Sequence, residues 1–389
     1  MAGRAGLLRA RGRRARARVT YVELFFDLVF VFAITQLSHA LLHDFTPGGA
    51  IRTAVLFVAV WWSWVNTTWV TNWLDPDRGA TRLLLFWMML AGLLAAIAIP
   101  HAFGERGWMF ALAYVAVEMP RPLFVLWAAG RHDPALRRNF ERIAVWQAAA
   151  VPFWLLGAAV EGEARLVLWA LALAVWTAAP ILGFRVPSLG RSTTADWTVD
   201  GAHFAERCGL FIIIALGESV LVTGATFGDM TWTPLTIAAF LIAFAGTVAM
   251  WWIYFHLGAE RGARRIRETT DPGRLARLGY TYLHMPVVAG IVLSAVADER
   301  VLHHPYGHTG PGDAAVILGG PTLYLAGLAA FKRLDLGWPP LSHLVGLGLL
   351  ALSIALVPVL SPLALAAVTV AILVLVAIWE HLSLRGKAA

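Results

Sequence analysis

Tyr21-Val22-Glu23-Leu24-Phe25-Phe26-Asp27-Leu28-Val29-Phe30-Val31-Phe32-Ala33-Ile34 opens a mostly apolar run that continues to about residue 42. That is the length of roughly 20 residues which a helix needs to cross a bilayer. Apart from Glu23 and Asp27, the stretch offers water no face, unlike the surface helix of a soluble protein. Runs of this kind recur. Twelve are read, near 22–42, 52–72, 83–102, 107–128, 142–160, 165–184, 206–226, 233–256, 279–298, 313–331, 341–360 and 362–382. The connections are short and marked by Pro or Gly, as at Pro47-Gly48-Gly49 and Asp271-Pro272-Gly273.

Composition points the same way. Of 389 residues, 59% are hydrophobic and 14% charged, with a mean hydropathy of +0.68. Soluble domains lie near ~45–50% apolar and ~25% charged. A soluble enzyme, a disordered chain, a collagen and a disulfide scaffold are all excluded. Cys208, the single cysteine, can form no internal disulfide and belongs to no CxxC or zinc-finger pattern.

The net charge of +7 would suggest nucleic acid in a soluble protein. In a membrane protein it must first be sorted by loop. With the N-terminus inside, only Arg52, Arg106, Arg165 and Arg300 fall in outer loops, and Arg121 falls within a span. Every other Lys and Arg lies inside. Both termini are therefore expected in the cytoplasm. The basic tail (Arg4, Arg9, Arg11, Arg13, Arg14, Arg16, Arg18) is read as lying on anionic lipid headgroups. Nucleic acid is not expected as a partner. Cleavage as a signal peptide is not expected either, because the first run carries two acids and lacks a small-x-small site.

The two halves share features. Glu23 in the first run matches Glu206 in the seventh, Trp61-Trp62 matches Trp251-Trp252, and Ala91-Gly92 matches Ala289-Gly290. An even number of spans in each half makes the repeats parallel. The expected fold is an all-α integral membrane protein of about twelve transmembrane helices in two parallel six-helix repeats. Residues 1–20 form a basic cytoplasmic tail, 21–184 the first repeat, 185–205 a cytoplasmic linker and 206–384 the second repeat.

An ionisable group in hydrocarbon costs about 2.5–3.5 kcal/mol on insertion scales, so those inside spans are the informative residues. Glu23 and Asp27 lie at i, i+4 on one face, ~6 Å apart along the axis. They read either as a cation or proton site at a pore mouth, or as N-terminal acids favoured by the macrodipole or paired to an Arg or His of the seventh run. Glu218-Ser219 sits deep in the seventh run, and Glu206 at its start. Glu218 reads as an ion or proton site, or as a neutral acid bonded to another helix. Glu118 and Arg121, at i, i+3 beside Pro120 and Pro122, read as a local ion pair at a broken helix or as a substrate-facing kink. Asn66, Thr67 and Thr68 offer neutral oxygens, for ions or for interhelical hydrogen bonds. The outer histidines, His303-His304-x3-His308 among them, form no HExxH motif, and no metal is expected.

The stretch Tyr21–Ile34 resembles the opening signature of the bacterial low temperature requirement protein A (LtrA) family. His203-Phe204-Ala205-Glu206-Arg207 through Ala215-Leu216-Gly217-Glu218-Ser219 resembles that family's second signature, and the likeness extends over about residues 20–382. The resemblance implies a bacterial multi-pass membrane protein named for a cold-growth phenotype, with no agreed activity. Phe25-Phe26-Asp27-Leu28-Val29-Phe30 is also similar to the Phe-Ser-Asp signature of the lysosomal and bacterial potassium channels built from six-helix repeats, whose first helices line the pore. Phe26 replaces the serine, and the second half has Leu210 where Asp27 would recur.

A cation- or proton-linked channel or transporter in the bacterial cell membrane is the leading expectation, with Glu23, Asp27, Glu206, Glu218 and Ser219 on its pathway. A structural or sensory membrane protein is the alternative, and a lipid-modifying intramembrane enzyme the second alternative. No Walker A, GxSxG or Rossmann fingerprint is present, so neither an enzyme nor a cofactor is expected. The expected partners are membrane lipids and a small cation or proton.

Overall fold

A computed structural model describes residues 4–9, 19–130, 133–197, 199–256, 266, 269 and 271–385. The arginines of the tail within 10–18, and those of the basic loop at 261, 264, 265 and 267, lie outside the described residues. The helices are α1 (Tyr21–His43), α2 (Pro47–Trp73), α3 (Gly79–Ala98), α4 (Gly107–Glu118), α5 (Pro120–Ala129), α6 (Pro134–Ala159) and α7 (Gly162–Ala178). They continue with α8 (Gly201–Gly228), α9 (Pro234–Phe255), α10 (Pro272–His303), α11 (Pro311–Leu336), α12 (Leu341–Leu352) and α13 (Pro362–Arg385). Among the described residues there is no named strand.

Among the described residues, ten segments are long and apolar enough to span a membrane, with α4 and α5 together forming one of them. The expected sixth and eleventh runs fold as shorter helices, Gly162–Ala178 of 17 residues and Leu341–Leu356. Local chemistry sets the boundaries. Pro47, Pro120, Pro134, Pro234, Pro272, Pro311 and Pro362 each open a helix, where their missing N–H costs no hydrogen bond. Thr46, Asp133 and Thr233 cap the first turns of α2, α6 and α9 through their side-chain oxygens. Between α1 and α2, the Arg52 and Thr46 side chains hold the Asp44 carboxyl below the usual carboxylate range. Within α10, residues Ala276–Leu283 form a π-helical stretch just before Pro286. There the wider turn accommodates a residue that cannot continue the α ladder.

The chain divides into two compact units, Met1–Arg207 with Thr269–Arg277, and Cys208–Glu268 with Leu278–Ala389. In the first unit α1 packs on α2 and α3, α3 on α4, and α6 on α4, α5 and α7. Helix α1 is apolar on two faces. Phe26, Phe30 and Leu37 are buried, whereas Phe25, Leu28 and Phe32 are exposed, the surface that lipid covers in a spanning helix. In the second unit α10 packs on α11, α13 on α9, α11 and α12, and α12 on α11. The α10–α11 seam is tight. A Cβ on Gly290 would lie 2.6 Å from the Gly320 carbonyl oxygen and from the Tyr324 nitrogen.

Candidate functional site

Helix α1 begins at Thr20, and Glu23 Oε2 accepts from the Thr20 backbone N–H (2.9 Å) and hydroxyl (3.0 Å). The same carboxylate serves a second purpose. Its Oε1 lies 2.8 Å from His203 Nε2, and Oε2 lies 3.1 Å from Arg9 Nη2. One turn on, Asp27 Oδ1 accepts from Trp64 Nε1 (2.7 Å) and from Arg207 Nη2 (2.8 Å). The Arg207 guanidinium also lies over the Trp64 ring, 5.8 Å from its centroid. Glu23, Asp27, His203 and Arg207 are each 0% exposed.

The partners arrive on α2 and on the first turns of α8. Asn72 is clamped by Asp200, donating to its carbonyl (2.9 Å) and accepting from its N–H (2.8 Å). This fixes the amide so that Nδ2 faces His203 Nδ1 at 3.3 Å. A donor at Nδ1 selects the tautomer carrying its hydrogen on Nε2, which then donates to Glu23. With His203 neutral, two carboxylates face two guanidiniums and the charges balance. Three polar atoms of the network remain buried without a hydrogen-bond partner: Asp27 Oδ2, Arg207 Nε and Arg207 Nη1. Arg207 Nη1 lies 3.9 Å from Glu23 Oε1.

Arg9 corrects the reading of the tail as lying wholly on headgroups. Leu8 pairs with Leu74, the Arg9 N–H bonds the Trp73 carbonyl (2.7 Å), and the Arg9 side chain turns inward to Glu23.

A second polar group lies at the α4–α5 break. Pro120 leaves the Ala116 carbonyl without its helical donor, and the Trp87 indole supplies one at 3.0 Å. Glu118 and Arg121 form a buried ion pair across the break. Arg121 Nη1 also donates to the Ser63 carbonyl (2.5 Å) and to the Thr67 hydroxyl (2.9 Å). Thr67 and Thr68 donate back to their own helix, at Ser63 and Trp64.

Of the remaining candidates, Glu206 belongs to the first unit and Glu218 and Ser219 to the second. Glu206 is exposed. Glu218 is half-buried in the second unit, and the neighbouring Ser219 is buried, bonding the Ala215 carbonyl at 3.4 Å. Ser219 lines a cavity of about 40 Å³ that also takes in Asp298 of α10, a carboxylate that sequence reading passed over because it ends a run. Among the described residues no group of three or more metal-ligating side chains occurs.

Buried ion pairs carried on apolar helices of spanning length define the class, a multi-pass α-helical membrane protein. Residues 18–378 match the family described as bacterial low temperature requirement A protein (LtrA), and the chain belongs to that family. It is 42% identical over 371 residues to a Rhizobium meliloti (strain 1021) protein named "Uncharacterized protein RA0937", covering 95% of this chain and 90% of that one. No solved structure matches it.

Proposed function

We propose that this LtrA protein is a proton-linked channel or transporter in which Asp27 takes up and releases the proton. The observation that carries this reading is the buried Oδ2 of Asp27, which has no partner while Oδ1 is held by two donors. A proton bound at Oδ2 removes the charge that holds Arg207 and leaves both donors their acceptor. The guanidinium then has one carboxylate left, Glu23, 3.9 Å from Nη1. Its pull shifts from α1's second turn to its first, a two-position switch of the kind a coupled carrier needs. In this reading the chain crosses the membrane twelve times as two parallel six-helix repeats with both termini cytoplasmic. Gly162–Ala178 and Leu341–Leu356 are then its sixth and eleventh crossings. Its partners are lipids and the transported ion, and no enzymatic step is assigned.

The test is proton flux into proteoliposomes under an imposed potential, read by an enclosed pH dye. Wild-type protein should acidify the lumen, and Asp27→Asn, with unchanged helix content, should not. Equal flux from the two would sink the proposal.

One observation favours a structural or sensory role instead. The network's charges are already balanced, and both Glu23 oxygens already have donors. On that reading neither protein carries protons, and the lower melting temperature that Asp27→Asn shows on either reading is its only effect.

A further inference from the structure

The cavity of the second unit contains a carboxylate that the first-unit network does not involve. Asp298 borders it from α10 and makes no hydrogen bond or ion pair with any described residue. The other polar groups around the cavity are hydroxyls, Ser219, Thr247, Ser294 and Thr369. Three of them donate to carbonyls of their own helices: Ser219 to Ala215, Thr247 to Ala243, and Thr369 to Leu365. Their hydrogens are thereby used, and their oxygens keep lone pairs to offer. Ser294 Oγ is buried with no partner at all. Pro321 on α11 has no N–H to return to the Ile317 carbonyl one turn earlier, and both residues border the cavity. The rest of the wall is almost wholly aliphatic. The surroundings are thus rich in oxygen acceptors, with one negative charge and no basic side chain.

We propose that this cavity binds a single alkali-metal cation, with Asp298 neutralising its charge and the surrounding hydroxyl and carbonyl oxygens replacing its water. Three considerations select that ligand. Hard oxygen donors suit hard cations. One carboxylate balances one positive charge, whereas a divalent ion would leave a net charge amid aliphatic walls. A volume of about 40 Å³, at about 10–15 Å³ for each water, holds the bare ion and about two or three waters, short of a full hydration shell. The site lies entirely in the second unit and is independent of proton uptake at Asp27.

Equilibrium binding of radioactive sodium ion to the purified full-length protein in lipid nanodiscs tests this. Saturable binding is expected, displaced by unlabelled NaCl and not by choline chloride at equal ionic strength. Asp298→Asn should weaken it on the order of thirtyfold or more, as expected for removing one partner of a buried charge pair. Ser294→Ala, which keeps the charge and removes one oxygen, should weaken it less while leaving the fold intact. Asp27→Asn should bind sodium as wild type does. The proposal is overturned if folded wild-type protein binds no sodium and neither LiCl nor KCl raises its melting temperature above that in choline. Undiminished binding by both Asp298→Asn and Ser294→Ala overturns it equally. Loss of proton flux in Asp27→Asn with sodium binding absent would remove this site and keep the first-unit reading. Sodium binding without proton flux would do the reverse.

Discussion

Arg207 and Asp27 share a contact from which solvent is wholly excluded, so removing either partner leaves the other's charge in low dielectric. Breaking such a pair costs about 3–5 kcal/mol, whereas replacing both partners by uncharged groups is often close to neutral. Arg207→Met is therefore expected to lower the melting temperature in detergent sharply, and Asp27→Asn with Arg207→Met to recover most of the loss. Fluorescence-detected size exclusion after a temperature ramp would measure both. If the double variant melts no higher than Arg207→Met, the pairing does not carry the energy assigned to it. Trp64→Phe keeps the packing and removes one donor to Asp27, and should cost about 1–3 kcal/mol. The sequence made the Glu23–Asp27 pair readable, because i, i+4 spacing is local. Pairing to an Arg or His of the seventh run was readable as one option, and His203 and Arg207 supply it, whereas Trp64 of α2 was not, since no local periodicity indicates which helix face meets which. Arg9 was hidden among six other tail arginines of the same appearance.

Close approach between helices decides stability at the scale of the element. A methyl group on Gly290 would collide with backbone atoms of α11, which no side-chain rotation relieves. Overpacking of this kind costs about 1–3 kcal/mol. Gly290→Ala should thus lower the melting temperature, whereas Gly217→Ala, with nothing within 4 Å of its would-be Cβ, should not. Equal behaviour of the two would contradict the α10–α11 packing. Most helix positions could be read directly from apolar runs, because lipid and protein both demand apolar side chains and the backbone must satisfy itself. The α4–α5 break was marked by its prolines. The π-helical stretch at Ala276–Leu283 was not, because Pro286 beyond it signals a break or kink and not the hydrogen-bond register that the backbone adopts.

For the whole molecule, the placement of arginine predicts sidedness. His308 and Asp77 are both exposed and lie outside the long helices. In intact cells His308→Cys should react with a membrane-impermeant maleimide, and Asp77→Cys only after permeabilisation. The single native cysteine, Cys208, is buried and should give little background. The opposite labelling pattern would invert the proposed topology. Hydropathy made the membrane class legible, since few other environments tolerate so much apolar surface. It could not resolve the two shorter helices, whose residues read as full-length runs although the helices end at Ala178 and Leu356.

The central claim is that Asp27 itself gains and loses a proton. Infrared difference spectra of the protein in lipid, recorded between neutral and acidic buffer, test it most directly. Wild-type protein should show a protonated-carboxyl carbonyl band on acidification that is missing from Asp27→Asn and kept in Glu206→Gln. A band that survives unchanged in Asp27→Asn would contradict the account.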